Sequence, residues 1–395
     1  MNERNVKLGT APSKIREIFE YAKKRKREIG EDNVYDFSIG NPNAPAPKEV
    51  KESLIRLLNE MEPSKLHGYT SNNGDKSVRD EIAKYLNNTY GTNLSGDYIF
   101  LSCGAAAGLA ITFNALLLKD DEVITFAPHF PDYRVTIENV GAKLITCKCD
   151  SNFLPDLNEL EKLINNKTII VLYNSPNNPT GAFYNEDLIK RLADLLKRKE
   201  KEFGHPIYLM SDEPYRELLF EEEKYPFVTN YYDNSIVTYS FSKSTSLAGE
   251  RIGYIVVNPK CVDAYKLYKG ICGAAWSLGY ITAPSMFQFL IPHILGHTSD
   301  LKFYKENRDI LYKTLKDIGY DVVYPSGAFY MFMKALEEDA NKFCEVAKDY
   351  ELFLVPSDSF DVKGYVRVAY CVNRKTIVNS KEAFRKLYQR YKGGE

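Results

Sequence analysis

The chain has 395 residues, of which 44% are hydrophobic and 27% charged, so it is long enough for two domains and apolar enough to give each a core. Those proportions exclude a disordered chain. Lysine plus arginine (52) nearly balances aspartate plus glutamate (53), and a net charge of −1 argues against a broad phosphate-gripping surface and so against nucleic acid as a partner. No apolar run is long enough to span a bilayer, and residues 1–10 lack the hydrophobic segment of a signal peptide. The seven cysteines have no disulfide-scaffold spacing and read as free thiols, so a cytoplasmic location is expected.

Taken in order, Ile15, Ile18, Phe19 and Ala22 recur at helical spacing, and the basic run 23–27 behind them reads as a solvated helix end. The stretch 37–47, FSIGNPNAPAP, holds too much proline and glycine for a regular element. Between 98 and 257 short β-branched or aromatic runs (98–101, 123–126, 143–147, 168–173, 207–210, 236–241 and 254–257) alternate with helix-length segments such as 105–118 and 186–199. This alternation predicts an α/β fold whose large domain has a mainly parallel seven-stranded sheet between helices. Ligands in such sheets bind at the carboxyl ends of the strands.

Past Pro284 a helix-rich stretch runs to Ile318, strand-like pieces occupy 320–334 around Pro325 and Gly327, and a strand at 365–372 precedes a last helix with Phe384, Leu387, Tyr388 and Tyr391 on one face. The expected organisation is an N-terminal arm (1–45) that completes part of a small domain, a large domain (46–290) and a smaller α/β domain (291–395). The 29 tyrosines and 21 phenylalanines, against the single Trp276, are read mostly as packing.

Nucleotide cradles of the G-x-G-x-x-G and G-x-x-x-x-G-K-[ST] kinds are absent, and the lone C-x-C at Cys147 and Cys149 offers too few ligands for a metal. Four segments carry chemistry instead. In VTYSFSKSTSLAGERIGYIVV, Lys243 follows a strongly apolar strand, sits among hydroxyls and has Arg251 nearby, a combination that suits a lysine imine beside an anionic phosphate. In IYLMSDEPYRELLF, Asp212 ends a buried-type strand, where it could be a helix N-cap or an active-site acid. LYNSPNNPTG makes a rigid turn after a strand. Ser102 to Gly108 joins a strand to a helix through small residues, which lets backbone N–H groups approach an anion.

In order and type, these segments resemble the pyridoxal-phosphate aminotransferases of class I/II (fold type I), from FSIGNP at Phe37 to YVRVAY at Tyr365. SFSK followed by GERIGY carries most of the likeness, then SDEPY, then NNPTG. The resemblance implies pyridoxal 5'-phosphate as cofactor, with Lys243 forming the imine to its aldehyde and shuttling a proton at the substrate Cα. Asp212 matches the carboxylate that pairs with the ring nitrogen, Tyr215 and Asn178 the donors to the ring 3-oxygen, and Phe130 the stacking aromatic. Gly104, Ala105, Ala106, Ser240, Ser242 and Arg251 match the phosphate cradle. Arg367, costly to bury in an apolar strand unless paired, matches the arginine that grips the substrate α-carboxylate. Gly40 matches a backbone contact to the same substrate, and Asn178 and Phe130 complete the substrate side. Tyr69, in HGYTSNNG, matches a tyrosine that reaches a neighbouring subunit's phosphate, which implies a homodimer.

The activity so implied is transamination between an L-amino acid and a 2-oxo acid by a ping-pong cycle. A C–S β-lyase would use the same lysine and aspartate. A non-catalytic sensor of this fold is disfavoured by the complete catalytic set and by a chain that begins almost directly with the arm. Aspartate-specific relatives present a cation to the distal carboxylate from one of two places, which correspond here to Ala106 and the basic-free stretch 270–280. With Trp276, Tyr280, Phe130 and Tyr133 read as nearby, the expectation is a neutral or aromatic substrate side chain; Arg134 is the remaining cation.

Overall fold

A strand covered on both faces needs apolar residues at nearly every position, and the runs between 98 and 257 supply them. In the computed structural model, which describes residues 1–10 and 13–393, they form β1 (Ile99–Ser102), β2 (Glu122–Phe126), β3 (Lys143–Cys147), β4 (Thr168–Asn174), β5 (Tyr208–Asp212), β6 (Ser235–Ser240) and β7 (Gly253–Val257). Their order in one seven-stranded sheet is β1-β7-β6-β5-β4-β2-β3. The β3–β2, β2–β4, β4–β5 and β5–β6 pairs are parallel, whereas β7 runs antiparallel to both β6 and β1. The carboxyl ends of the other strands therefore share one edge.

This sheet belongs to the larger of two compact units, Ala44–Asn177 plus Ala182–Leu301. Phe100, Ile111, Phe113, Ile137, Leu172, Met210, Ile236, Ile255 and Ile271 pack into one cluster that joins the sheet to the helices Ala105–Leu116, Asp132–Asn139 and Ala264–Ser277. The helix Glu186–Phe203 buries Leu188, Ile189, Leu192, Ala193, Leu195 and Leu196 along one face; Asn185 caps its start, and Gly204, at φ +74°, ends it in the left-handed conformation.

The smaller unit comprises Met1–Asn43, Asn178–Gly181 and Lys302–Glu395. Its antiparallel sheet takes the order β9-β10-β8, with β8 at Tyr330–Lys334, β9 at Val355–Pro356 and β10 at Tyr365–Ala369. Tyr35–Asp36 pairs in parallel with Leu352–Phe353. Of the stretch 320–334 only β8 is a full strand; Val322 makes an isolated bridge to Met333, because Pro325 and Gly327 interrupt the ladder.

The helix Lys14–Ile29 buries Ile18 and Ala22 as its spacing predicts. Its basic run is not simply a solvated end. Arg25 binds Glu351 and Glu28, and Lys26 lies 3.1 Å from the buried carboxylate of Asp36. Among the described residues no helix is long and apolar enough to cross a membrane, and all seven cysteines are free.

Gly253 opens β7 opposite Ser102 on one side and Ser240 on the other. A Cβ there would overlap the Tyr239 carbonyl oxygen and come within 3.0 Å of Gly104 Cα. Gly253→Ala must therefore push the β1 turn off the sheet, and a loss of about 1–3 kcal/mol is expected in urea denaturation. A variant as stable as the parent would show that the β1 turn yields to the added methyl without cost.

Candidate active site

The larger unit brings a carboxylate, a lysine and an anion cradle to the carboxyl edge of its sheet. Strand register sets the carboxylate. Asn174, Asp212 and Thr238 lie in one row across β4, β5 and β6. Asp212 Oδ1 accepts from Thr238 Oγ1 at 3.3 Å, Oδ2 accepts from the Tyr133 hydroxyl at 2.6 Å, and the Asp212 carbonyl accepts from Asn174 Nδ2 at 2.8 Å. Burial raises the Asp212 carboxyl to about 6, against the pull of the Tyr133 and Thr238 donors and with a push from Glu213. Tyr215, buried, follows on the same loop.

Lys243 lies half-buried in the turn that leaves β6, the strand next to β5. Around the same turn Ser240 Oγ donates to Ser242 Oγ at 2.7 Å and accepts from the Ser242 N–H at 3.1 Å. Arg251 Nη1 reaches Ser242 Oγ at 3.4 Å and the Ala248 carbonyl at 3.0 Å, while Nη2 reaches the Cys103 carbonyl at 3.4 Å. The helix Ala105–Leu116 begins here at Gly104, which sits at φ +83° and offers no side-chain cap. A Cβ on Gly104 would lie 2.9 Å from Arg251 Nη2. A helix start without a side-chain cap, two hydroxyls and a guanidinium suit an anionic group. Asp212 suits a protonatable nitrogen. Ala106 is exposed on the first turn of that helix, Phe130 is half-buried beside Tyr133 with ring centroids 5.7 Å apart, and Tyr69 is 92% exposed.

The smaller unit holds the other expected residues. Arg367 of β10 is 2% exposed. Its Nη1 donates to Asn178 Oδ1 at 3.1 Å and its Nη2 to the Ser38 carbonyl at 2.6 Å. The guanidinium lies 4.5 Å from the Tyr330 ring centroid and 5.2 Å from that of Phe360. Its Nε, buried, has no hydrogen-bond partner. Gly40 is required beside it, because a Cβ there would overlap the Tyr330 hydroxyl. A buried guanidinium with one donor unused suits a carboxylate.

Sequence reading missed Thr238, Asn174, Tyr330 and Phe360. Thr238 precedes Ser240 by two residues and so shares its face of β6, a usable signal; the ring partners of Arg367 are remote in sequence and left none. Tyr133 was expected near the substrate side chain. It is 1% exposed and donates its hydroxyl to Asp212. Trp276 is 68% exposed on the last turn of its helix, and Arg134 lies 3.6 Å from Glu138.

The family model for aminotransferase class I and II matches residues 32–384, and the chain belongs to that family. It is 31% identical to an aspartate aminotransferase of Pyrococcus horikoshii over 95% of both chains. The crystal structure of an amino transferase from Eubacterium rectale superposes with a TM-score of 0.97 at 50% identity, covering 99% of each chain. That of the Thermotoga maritima aspartate aminotransferase gives 0.84 at 29% identity, covering 95% of this chain and 97% of that one. The protein is thus an enzyme of the aminotransferase class.

Because the folded-state value of Asp212, about 6, lies above its ordinary 3.8, the folded protein holds this proton more tightly than the unfolded chain. The charged form therefore costs stability in full above pH ~6, by roughly 3 kcal/mol, and the cost fades as pH falls towards ~4. Asp212→Asn removes the titration. In urea denaturation of the cofactor-free protein it should gain on the parent at pH 8 and lose most of that advantage at pH 4.5. An equal difference at both pH values would mean that Asp212 is not the titrating group.

Proposed function

We propose that the enzyme uses pyridoxal 5'-phosphate to take the amino group from an L-amino acid, release the corresponding 2-oxo acid, and then hand the group to a second 2-oxo acid, in a ping-pong cycle. The observation that carries this reading is the buried carboxylate of Asp212 at the end of β5 beside the Lys243 turn of β6, with the Gly104–Arg251 cradle at the same sheet edge. Bound cofactor supplies an aldehyde that exchanges amino groups and a ring that accepts the electron pair left at Cα.

The chain's own residues do the rest. Lys243 Nζ would hold the cofactor and would be the base that takes the substrate Cα proton and returns it. Asp212 holds the ring nitrogen in its protonated form, for which Tyr133 and Thr238 fix the carboxylate. Tyr215 and Asn178 are the donors to the ring 3-oxygen and Phe130 stacks on the ring. Ser240, Ser242, Arg251 and the first N–H groups of the helix Ala105–Leu116 bind the phosphate. Arg367 receives the substrate α-carboxylate, with Gly40 offering backbone to the same substrate. Tyr69, exposed in the single chain, serves the phosphate of a second copy in a homodimer. The free thiols suit a cytoplasmic setting.

For the substrate side chain we infer a preference for neutral or aromatic over aspartate. Residues 270–280 contain no basic residue, Ala106 has no charge, and Arg134, its side chain 40% exposed, lies 3.6 Å from Glu138. The names of the Pyrococcus horikoshii and Thermotoga maritima relatives favour the opposite reading, aspartate as amino donor.

Borohydride reduction of the holoenzyme should fix the cofactor to Lys243, as read by peptide mapping; recovery on another lysine would remove the central assignment. Separately, kcat/KM for alanine and phenylalanine should exceed that for aspartate. Aspartate ahead by more than about tenfold, or ~1.4 kcal/mol in transition-state binding, would overturn the side-chain preference.

A further inference from the structure

The DEPYR segment carries two buried charges that the proposed chemistry does not use, Glu213 and Arg216. Arg216 is 2% exposed. Its Nε donates to Glu213 Oε2 at 2.6 Å and its Nη1 to the Tyr254 hydroxyl at 3.0 Å, while Nη2 has no hydrogen-bond partner. Glu217 Oε1 lies 3.8 Å from Nη1, and rings complete its surroundings. The guanidinium carbon lies 4.3 Å from the ring centroid of Tyr239, 5.1 Å from Phe227, 5.5 Å from Tyr90 and 6.0 Å from Tyr254. A planar, weakly hydrated guanidinium can stack in this way; a lysine ammonium cannot.

Two of these rings sit on the elements that carry the candidate cofactor residues. Tyr239 precedes Ser240 in β6, whose turn bears Ser242 and Lys243. Tyr254 lies in β7, just past Arg251. Arg216 itself follows Asp212 and Tyr215. Tyr239 and Tyr254 are direct cross-strand partners, stacked with centroids 4.7 Å apart. Side chains alternate along a strand, so Tyr239 faces away from Thr238 and Ser240. Its hydroxyl donates to Glu217 Oε2 at 3.0 Å and is 3.0 Å from Ser244 Oγ, on the residue after Lys243. The Ser244 carbonyl accepts from the Ser299 N–H at 2.7 Å.

We propose that Arg216 is a positioning residue for the cofactor set. Through the Tyr239 ring and its hydroxyl on Ser244, it clamps the loop of Asp212 and Tyr215 to the turn of Lys243; through Tyr254 it ties the same loop to the strand that follows Arg251. This rests on the reading of Lys243 as the attachment residue. A buried ion pair is a poor device for stability, since apolar replacement is often neutral or better. What the guanidinium adds over a methionine is direction: its plane and its donors orient the three segments at once.

Holoenzyme variants Arg216→Met and Tyr239→Phe test this, read by kcat, by KM and by circular dichroism in the bound cofactor's absorption band. Small misplacement of reacting groups slows chemistry without touching the carboxylate-binding residues. Arg216→Met should lower kcat about 10–100-fold with KM within about twofold, and reduce the dichroism. Tyr239→Phe, which keeps the ring and removes only the hydroxyl, should lower kcat about 3–10-fold in the same pattern.

If Arg216→Met fails to fold, Tyr239→Phe decides alone. Parental kcat and dichroism in the variants that fold would overturn the proposal. Borohydride mapping of the parent separates the two levels. A label away from Lys243 removes the underlying reading and this inference with it, whereas a label on Lys243 with unaltered variants removes this inference only.

Discussion

A carboxylate sealed from water dictates the layout of the larger unit. Asp212 closes a strand with almost no solvent on it, and an ion in that position needs a donor for each oxygen. One donor comes from the neighbouring strand and the other from the helix Asp132–Asn139, so strand register and helix placement must both be correct before the charge can be tolerated. The parallel sheet achieves this by setting Asn174, Asp212 and Thr238 in one row across β4, β5 and β6. A slip of one residue between β5 and β6 would turn Thr238 to the opposite face and leave Oδ1 without its donor.

Three of the chain's interior charges, Asp212, Arg216 and Arg367, are met with three different solutions. Asp212 is held by neutral hydroxyls and shifts towards its protonated form. Arg216 is matched by Glu213 and enclosed by rings. Arg367 relies on an amide and a carbonyl oxygen, with rings on its flank and one donor left over. Arg216 and Arg367 each keep one guanidinium nitrogen without a hydrogen-bond partner, but only Arg216 has an acid of its own segment against it.

Much of the fold was legible because the signal is local. Each of the seven apolar runs became a strand, and the helices 105–118 and 186–199 formed within a few residues of the expected ends. Fully buried strands announce themselves by unbroken hydrophobicity, and caps such as Asn185 and Gly204 punctuate the helices. What escaped was set by distance along the chain. That Tyr133 serves Asp212, 79 residues away, depends on how one helix docks on the sheet, and no local pattern encodes it. The ion pairs of Arg25 and Lys26 escaped for the same reason. Their acids, Glu351 and Asp36, become neighbours only once Tyr35–Asp36 has paired with Leu352–Phe353.

The stacked arginine of the smaller unit has one further effect. An arginine free in solvent samples many rotamers, and ordering it on contact with a ligand costs about 2 kcal/mol in lost freedom. Arg367 surrenders that freedom when Tyr330, Phe360, Asn178 and the Ser38 carbonyl close around it, before any ligand arrives. The entropic cost of recognition is thereby moved out of the binding equilibrium and into the folding one. In the role proposed for Arg367, carboxylate affinity becomes a reporter of how well this unit is packed: loosening the ring beside Gly40 would weaken the grip even with every atom that touches the carboxylate still in place.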